Sequence, residues 1–169
     1  MVLLRADIFP QFRNRCCAMS TTDLGKKATV ACPFCATLNR VDLGRLSDGP
    51  KCGHCGRPIL VDRPVAVTDA TVDAVLAGTD VPIVMDCYAD WCGPCKIMAP
   101  VLDDLAHDRA SEVLVTKLDT DRNPATGQRF DVRAIPTLIV FRDGREVARH
   151  TGVIARRELD ALVGPTGRE

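Results

Sequence analysis

The chain has 169 residues, no net formal charge and 46% hydrophobic residues. This length suits one domain, or a small domain joined to a medium one, and the apolar content excludes wholesale disorder. A neutral chain gives no global electrostatic reason to expect a nucleic-acid partner. The charge is unevenly distributed, because residues 19–63 carry 7 Lys/Arg against 4 Asp/Glu and residues 64–169 carry 12 against 17. The resulting net charges of +3 and −5 predict that the chain consists of two structural units.

The first 18 residues fit nothing that follows them. Residues 1–18 have no clear hydrophobic period and contain the adjacent Cys16 and Cys17, to which we assign no role. Two interpretations stay open: an unstructured extension, or a start-site artefact in which Met19 is the true first residue. The N-terminus is a poor signal peptide because charged residues interrupt its apolar run, and no stretch approaches the roughly 20 apolar residues of a membrane span. We therefore expect a cytoplasmic protein that does not bind a membrane.

Helical and strand patterns alternate from Pro64 onward. Helices are predicted over 68–77, 93–108, 123–130 and 155–163, and strands over 81–88, 113–119, 137–141 and 146–150. Asp143-Gly144 predicts a tight hairpin between the last two strands. The second helix should bury one face, formed by Ile97, Met98, Val101, Leu102 and Leu105, and should kink at Pro100. This order of elements predicts an α/β fold, a mixed central sheet with helices on both faces.

Two of the three Cys-x-x-Cys pairs in this chain lie close together near its start. Cys32-Pro-Phe-Cys35 is followed by Cys52-Gly-His-Cys55, a spacing typical of a tetrahedral zinc site with four thiolates. Because such a site has every position filled by protein, it should be structural. Iron with the same ligands, and four cysteines without a metal, remain alternatives. His54, inside the second pair, is interpreted as a solvated side chain.

The segment 26–62 around these cysteines contains too little apolar material for a core of its own. It is therefore predicted to be a small zinc-ribbon domain stabilised by the metal, with Gly53 and Gly56 allowing the backbone to turn around the ion. Its one aromatic residue, Phe34, is a poor platform for stacking bases. A protein-contact or regulatory role is favoured over nucleic-acid binding.

The third pair, Cys92-Gly93-Pro94-Cys95, falls between a predicted strand and a predicted helix. At a helix N-terminus, free N–H groups and the helix dipole stabilise a thiolate at Cys92, and Cys95 lies one turn further on. A metal half-site or two core thiols are the alternatives, but the remaining cysteines supply no neighbouring pair. The context predicts thiol–disulfide exchange. Asp86, a carboxylate within an apolar strand, is a second candidate for the site, with a strand-edge residue as the alternative.

The segment 86–100, with Trp91-Cys-Gly-Pro-Cys95 at its centre, resembles the active-site segment of the thioredoxin family. Further matches follow in order at 117–121, 132–137, 141–144 and Gly152. The resemblance covers about residues 64–163. With the cysteine pairs in front, the chain is similar to the zinc-containing bacterial members of the family, the thioredoxin 2 type. It implies a thioredoxin fold in domain 64–166, preceded by the zinc-ribbon domain 26–62.

The resemblance also implies residue roles. Cys92 would be the attacking nucleophile, Cys95 the resolving thiol, and Asp86 the buried acid that takes the Cys95 proton, with Lys117 countering the rise that burial causes in the Asp86 pKa. Pro136 would be the cis-proline that faces the cysteines, an ordinary trans proline being the alternative. Cys87 is interpreted as a small core residue, with a regulatory thiol as the minority view. The residues implied to contact substrate are Trp91, Gly93, Pro94, Ile135 and Gly152.

The function implied is that of a protein-disulfide reductase. Its cofactors would be a structural Zn²⁺ and the redox-active Cys92–Cys95 disulfide, without an organic cofactor. Its partners would be an NADPH-dependent thioredoxin reductase and disulfide-containing client proteins, with no nucleic acid, and it would act as a monomer. One alternative is a redox-regulated zinc-ribbon adaptor or chaperone-like client-binding protein. Another, an oxidase or isomerase, is disfavoured by the Gly93-Pro94 dipeptide.

Overall fold

The computed structural model describes residues 25–165, so the predictions for residues 1–18, Cys16 and Cys17 lie outside it. A two-stranded hairpin comes first and a five-stranded sheet follows. The strands are β1 (Lys27–Ala31), β2 (Leu38–Asp42), β3 (Val65–Val67), β4 (Ile83–Tyr88), β5 (Leu114–Asp119), β6 (Thr137–Arg142) and β7 (Arg145–Thr151), and the helices are α1 (Val72–Ala77), α2 (Gly93–Asp108), α3 (Pro124–Arg129) and α4 (Arg156–Val163).

The larger sheet is mixed, as the sequence predicts. Its strand order is β3-β5-β4-β6-β7, with β3, β5 and β4 parallel and with β6 antiparallel to both β4 and β7. The β6–β7 turn contains Asp143 and Gly144 at φ of 49° and 72°, which is the conformation that this dipeptide favours in a tight hairpin. β3, a strand of three residues, is too short to have been predicted from periodicity.

Helices cover both faces of this sheet, because alternate strand residues point to opposite sides. On one side, Val84 and Val140 pack with Met98 and Leu102 of α2 and Leu159 of α4. On the other side, apolar residues of β4, β5 and β6 pack with α1. No helix between residues 25 and 165 is long and apolar enough to cross a bilayer.

Two details of the predicted helices are wrong. The first helix begins at Val72 instead of residue 68, because the Thr68 N–H donates to the Thr71 hydroxyl at 3.0 Å in a turn that precedes the helix. The carboxylate of Asp69, in the same turn, accepts from the N–H of Thr126 at 2.8 Å. Ile97, expected on the buried face of α2, is 60% exposed, so the apolar face of this helix is narrower than predicted.

The segment 26–62 contributes to a hydrophobic core that it shares with the sheet, and among the described residues it forms no core of its own. Ala28, Val30 and Val41 of the β1–β2 hairpin are buried, and they belong to the same apolar cluster as Val72 and Val75 of α1. The hairpin therefore completes a core that it shares with the sheet. These few apolar residues are enough to fold the hairpin because they bury their surface against α1.

Polar contacts fix β1 against the turn between α1 and β4. The Asp80 N–H donates to the Lys27 carbonyl at 2.8 Å, and the Lys27 N–H donates to the Asp80 carboxylate at 3.0 Å. The hydroxyl of Thr29 donates to the carbonyl of Gly78 at 2.9 Å. The approach at Gly78 is so close that a Cβ there would lie 2.2 Å from Thr29 Oγ1 and 2.9 Å from the Ala74 carbonyl oxygen.

Gly78→Ala is therefore expected to destabilise the protein by about 1–3 kcal/mol, because the added methyl group forces β1 away from the α1–β4 turn. The free energy of unfolding in urea measures this change. Gly127→Ala in α3 is the matched control, since its new Cβ would have its nearest neighbour at 4.0 Å. An equal loss of stability in both variants would contradict the close docking of β1.

Candidate active site and metal centre

Cys92 and Cys95 form a disulfide at the N-terminus of α2, with their Cα atoms 5.3 Å apart. Cys92 is the N-cap residue, and its Sγ accepts the Cys95 N–H at 3.1 Å. Pro94 lies in the first turn, where a helix has no intrahelical use for an N–H group. When the disulfide is reduced, the free N–H groups and the helix dipole favour the thiolate of Cys92.

Asp86 lies in the middle of β4 and is only 1% exposed. Among residues 25–165, neither oxygen of its carboxylate has a hydrogen-bond partner. Burial raises the pKa of Asp86 to about 6, and the positive charge of Lys117 opposes this rise. Lys117 is the β5 residue in register with Asp86, and its Nζ lies 4.6 Å from the centroid of the Tyr88 ring. The site thus contains a buried carboxyl group whose proton is held to near-neutral pH.

Trp91 projects beside the disulfide and is 71% exposed. Its indole N–H donates to the Asp121 carboxylate at 2.8 Å, so the ring is held to the loop that follows β5. Trp91, Thr120 and residues 132–135 line an open depression of about 350 Å³. An exposed aromatic ring held in place beside a shallow groove is typical of a surface that binds another protein.

The peptide bond between Ile135 and Pro136 is cis. The Gly152 N–H donates to the Pro136 carbonyl at 2.8 Å, which brings two of the predicted site residues together. Gly152 has φ of 100°, a conformation that favours glycine. Pro136 precedes β6 and Gly152 follows β7, so both lie at the end of the sheet where β4 leads toward Cys92.

The sequence-predicted site residues therefore fall into two groups. Asp86 and Lys117 lie within the central strands of the sheet. The others lie at the end of the sheet where β4 leads toward Cys92; these are Trp91, Cys92, Gly93, Pro94, Cys95, Ile135, Pro136 and Gly152. Prediction from sequence did not assign a role to Asp121 or to Val132, Arg133 and Ala134. All four lie inside segments quoted for the family resemblance, which was the signal that could have found them.

A second cluster, far from the disulfide in sequence, consists of Cys32, Cys35, Cys52 and Cys55. Their four sulfur atoms lie within 4.8 Å of one another, and two of the S···S distances, Cys32–Cys55 and Cys35–Cys52, are 3.6 Å. A tetrahedral zinc site with Zn–S bonds of about 2.3 Å requires S···S distances of about 3.8 Å. The cluster therefore has the donor type, number and spacing to hold a tetrahedral metal ion. His54 is exposed.

The two cysteine pairs have the same backbone turn. The Ala36 N–H donates to the Cys32 carbonyl at 2.9 Å, and the Gly56 N–H donates to the Cys52 carbonyl, also at 2.9 Å. Ala36 and Gly56 both have positive φ, of 58° and 71°. Gly56 thus supplies the turn that was expected of it, whereas Ala36 adopts the same conformation with a Cβ.

Asn39 connects the two pairs. Its side-chain amide donates to the Thr37 carbonyl at 2.7 Å and lies 3.6 Å from the Sγ of Cys52, while its Oδ1 accepts the Gly53 N–H at 2.9 Å. This N–H, and not a positive φ, is the contribution that Gly53 makes to the cluster. No local pattern marked Asn39 in the sequence, because its partners in the second cysteine pair lie 13 and 14 residues further along the chain.

Known proteins match both the part of the chain with the disulfide and the part with the four cysteines. A family model described as thioredoxin matches residues 63–164, and a second, described as the N-terminal region of thioredoxin 2, a zinc ribbon, matches residues 31–57. The chain belongs to the thioredoxin family. Members of this family are thiol–disulfide oxidoreductases.

Individual thioredoxins agree with the family match. The chain is 35% identical over 130 residues to thioredoxin C-3 of Corynebacterium nephridii, covering 77% of this chain and 89% of that one. It is 44% identical over 103 residues to the thioredoxin of Mycobacterium tuberculosis, covering 59% and 89%. A solved mutant thioredoxin from Halobacterium salinarum NRC-1 superimposes with a TM-score of 0.57 at 35% identity, covering 62% of this chain and 91% of that one.

Proposed function

We propose that this thioredoxin-family chain reduces protein disulfides, with Cys92 as the attacking thiolate and Cys95 as the resolving thiol. The observation that carries the proposal is the position of the pair, with Cys92 capping α2 and accepting the Cys95 N–H. The Cys92 thiolate attacks a client disulfide, forms a mixed disulfide and releases one client thiolate. The Cys95 thiolate then attacks Cys92 Sγ and releases the second, so two electrons pass to the client.

Asp86 is proposed to accept the proton that Cys95 must lose before it attacks. A base works best when its pKa lies near the operating pH, and burial raises the pKa of Asp86 to about 6. Lys117 keeps the carboxylate form accessible, because its charge opposes the effect of burial. Neither residue contacts the client in this scheme.

The client is proposed to bind across the groove beside Trp91. Cys92 is only 3% exposed, so a client disulfide must be held closely against the surface around it. Trp91, Gly93, Pro94, Ile135 and Gly152 are proposed to form that surface, with Pro136 facing the cysteines. Nothing would lie within 4 Å of a Cβ at Gly93 or Gly152, which leaves open space for a client chain there.

The oxidised pair must be reduced again for turnover, and we propose an NADPH-dependent thioredoxin reductase as the donor. Five cysteines of the described residues form no disulfide, which suits a reducing compartment, and we propose the cytoplasm as the location. The test is insulin reduction by the purified chain, coupled to NADPH oxidation by a thioredoxin reductase. Catalytic turnover is the expected result, and reduction no faster than with the reductase alone would contradict the proposal.

Zn²⁺ is proposed to bind Cys32, Cys35, Cys52 and Cys55 within a zinc-ribbon domain of residues 26–62, with residues 64–166 forming the thioredoxin domain. Four thiolates and no open position give the ion a structural role. Two different family models match these two parts of the chain, which supports this division.

Asn39→Ala is expected to weaken zinc binding by about tenfold or more, because it removes an amide beside Cys52 Sγ and the acceptor of the Gly53 N–H. Competition between the protein and a chromogenic chelator measures the zinc affinity directly. Gln128→Ala, which removes an exposed amide from α3, is the control and should bind zinc as the unchanged chain does. Equal affinities for the two variants would refute a role for Asn39.

A further inference from the structure

The loop between α3 and β6 carries most of the groove beside Trp91. It spans residues 130–136 and ends at the cis bond before Pro136. Four consecutive residues, 132–135, line the groove. Arg133 and Ala134 are exposed, whereas Val132 and Ile135 are half-buried, and Val132 packs against the apolar cluster that contains α1.

The loop starts with a sharp change of direction. Asp131 has φ of 50°, a conformation that is unfavourable for a residue with a Cβ. Helix α3 ends at Arg129, so Phe130 and Asp131 lie beyond it and their carbonyls receive no hydrogen bond from within the helix. The carbonyls of Phe130 and Asp131 therefore need donors from elsewhere.

Arg149 of β7 supplies these donors. Its guanidinium donates to the Phe130 carbonyl at 2.7 Å and to the Asp131 carbonyl at 3.4 Å. The side chain is itself held by Glu146, through Nε at 2.8 Å and a second nitrogen at 2.9 Å. One planar group thus joins a rigid strand to the first two residues of the loop.

The loop has other side-chain contacts. The Phe130 ring packs edge-on against Phe141 with ring centroids 5.1 Å apart, and the Thr137 hydroxyl donates to the Ala134 carbonyl at 2.7 Å, near the end of the loop.

Arg133 pairs with the Asp131 carboxylate, but the two side chains are 84% and 70% exposed, and ion pairs this exposed contribute little. The side chains of the Arg149–Glu146 pair are at most half as exposed, at 31% and 35%. Only an arginine can make this arrangement, because a lysine ammonium cannot present parallel donors to a carboxylate and two carbonyls.

We propose that Arg149 is a positioning residue for client binding, whose guanidinium fixes the Phe130 and Asp131 carbonyls and so places the loop 132–136 beside Cys92. This rests on the proposed function, in which the groove beside Trp91 receives the client. Arg149 acts through the loop and does not touch the reacting sulfurs.

The test compares Arg149→Lys with Arg145→Lys, a change of the same kind at an exposed arginine on the same strand. Each variant reduces insulin, whose chain must lie in the groove, and the small disulfide DTNB, which needs little of it. For Arg149→Lys, kcat/KM for insulin should fall about 3- to 10-fold, mainly through KM, while the DTNB rate stays within about twofold. Arg145→Lys should match the unchanged protein with both.

Hydrogen exchange gives a readout that does not depend on activity. The amides of residues 133–135 should exchange faster in Arg149→Lys than in Arg145→Lys. If the unchanged protein reduced neither disulfide, the proposed function would fail, and the exchange experiment would still decide the role of Arg149. Glu146→Gln, which weakens the support of Arg149, should give the same changes to a smaller degree if Arg149→Lys does not fold. Equal losses for both disulfides, or unchanged exchange, would overturn the proposal.

Discussion

Cys92→Ser is expected to lower the rate of insulin reduction by about three orders of magnitude or more, because a serine hydroxyl is not ionised at neutral pH and forms no mixed disulfide. The helix N-terminus that favours a thiolate at Cys92 cannot make a serine hydroxyl ionise. The coupled NADPH assay measures the rate, with the reductase alone as the baseline.

Cys87→Ala is the matched control for this loss. Cys87 is fully buried and faces the opposite side of the sheet from α2, and burial raises the pKa of its thiol to about 12. Its thiol is therefore neither ionised nor accessible, and its removal should leave the rate within about threefold. A Cys92→Ser protein that kept a tenth of the activity would sink the assignment. If the Cys92→Ser protein still protected client proteins in vivo, the alternative function of a redox-inactive adaptor that binds clients would be favoured.

Asp86→Asn is expected to stabilise the oxidised protein at neutral pH by about 3 kcal/mol, which is the unfolding free energy equivalent to a shift of about 2 pKa units. The pKa of Asp86 is about 6 in the folded chain, against an ordinary value of 3.8. Between these values the folded chain keeps a proton that the unfolded chain has lost. Stability therefore falls as the pH rises through this window and is lowest once the carboxylate is ionised.

Urea unfolding from pH 4 to pH 8 measures the effect. As the pH rises to about 6, the unfolding free energy of the unchanged protein should fall more than that of the asparagine variant. Above about pH 7 the difference between the two proteins should stay constant. Asp69→Asn provides a control of opposite sign, since hydrogen bonds from Thr126 lower the pKa of Asp69 and its loss should destabilise at neutral pH. Parallel pH profiles for Asp86→Asn and the unchanged chain would show that Asp86 is not desolvated.

Local sequence signals predicted the elements around the disulfide well. The bounds of α2 follow from Cys92 as cap and Pro94 in the first turn, and the buried run of β4 is continuous in the sequence. Asp86 was identifiable because it is a charged residue within that apolar run. In each case the determining residues are neighbours in the chain.

Features that depend on distant partners were not predictable. The turn before α1 depends on Asp69 contacting Thr126, 57 residues away. The core of the zinc-ribbon segment could not be anticipated from its own composition, since Val30 packs on α1. Arg149 gives no local sign of its contact with Phe130, 19 residues earlier. These contacts arise only when the sheet has brought the strands together.

Exchange of client disulfides with Cys92 is tested most directly by a trapping experiment. In Cys95→Ser the resolving thiol is absent, so the mixed disulfide should accumulate when the reduced variant meets a disulfide-containing client. Peptide mapping by mass spectrometry should place the client on Cys92, in near-stoichiometric yield. A client attached mainly to another thiol, such as the exposed Cys55, or no adduct at all, would contradict the account.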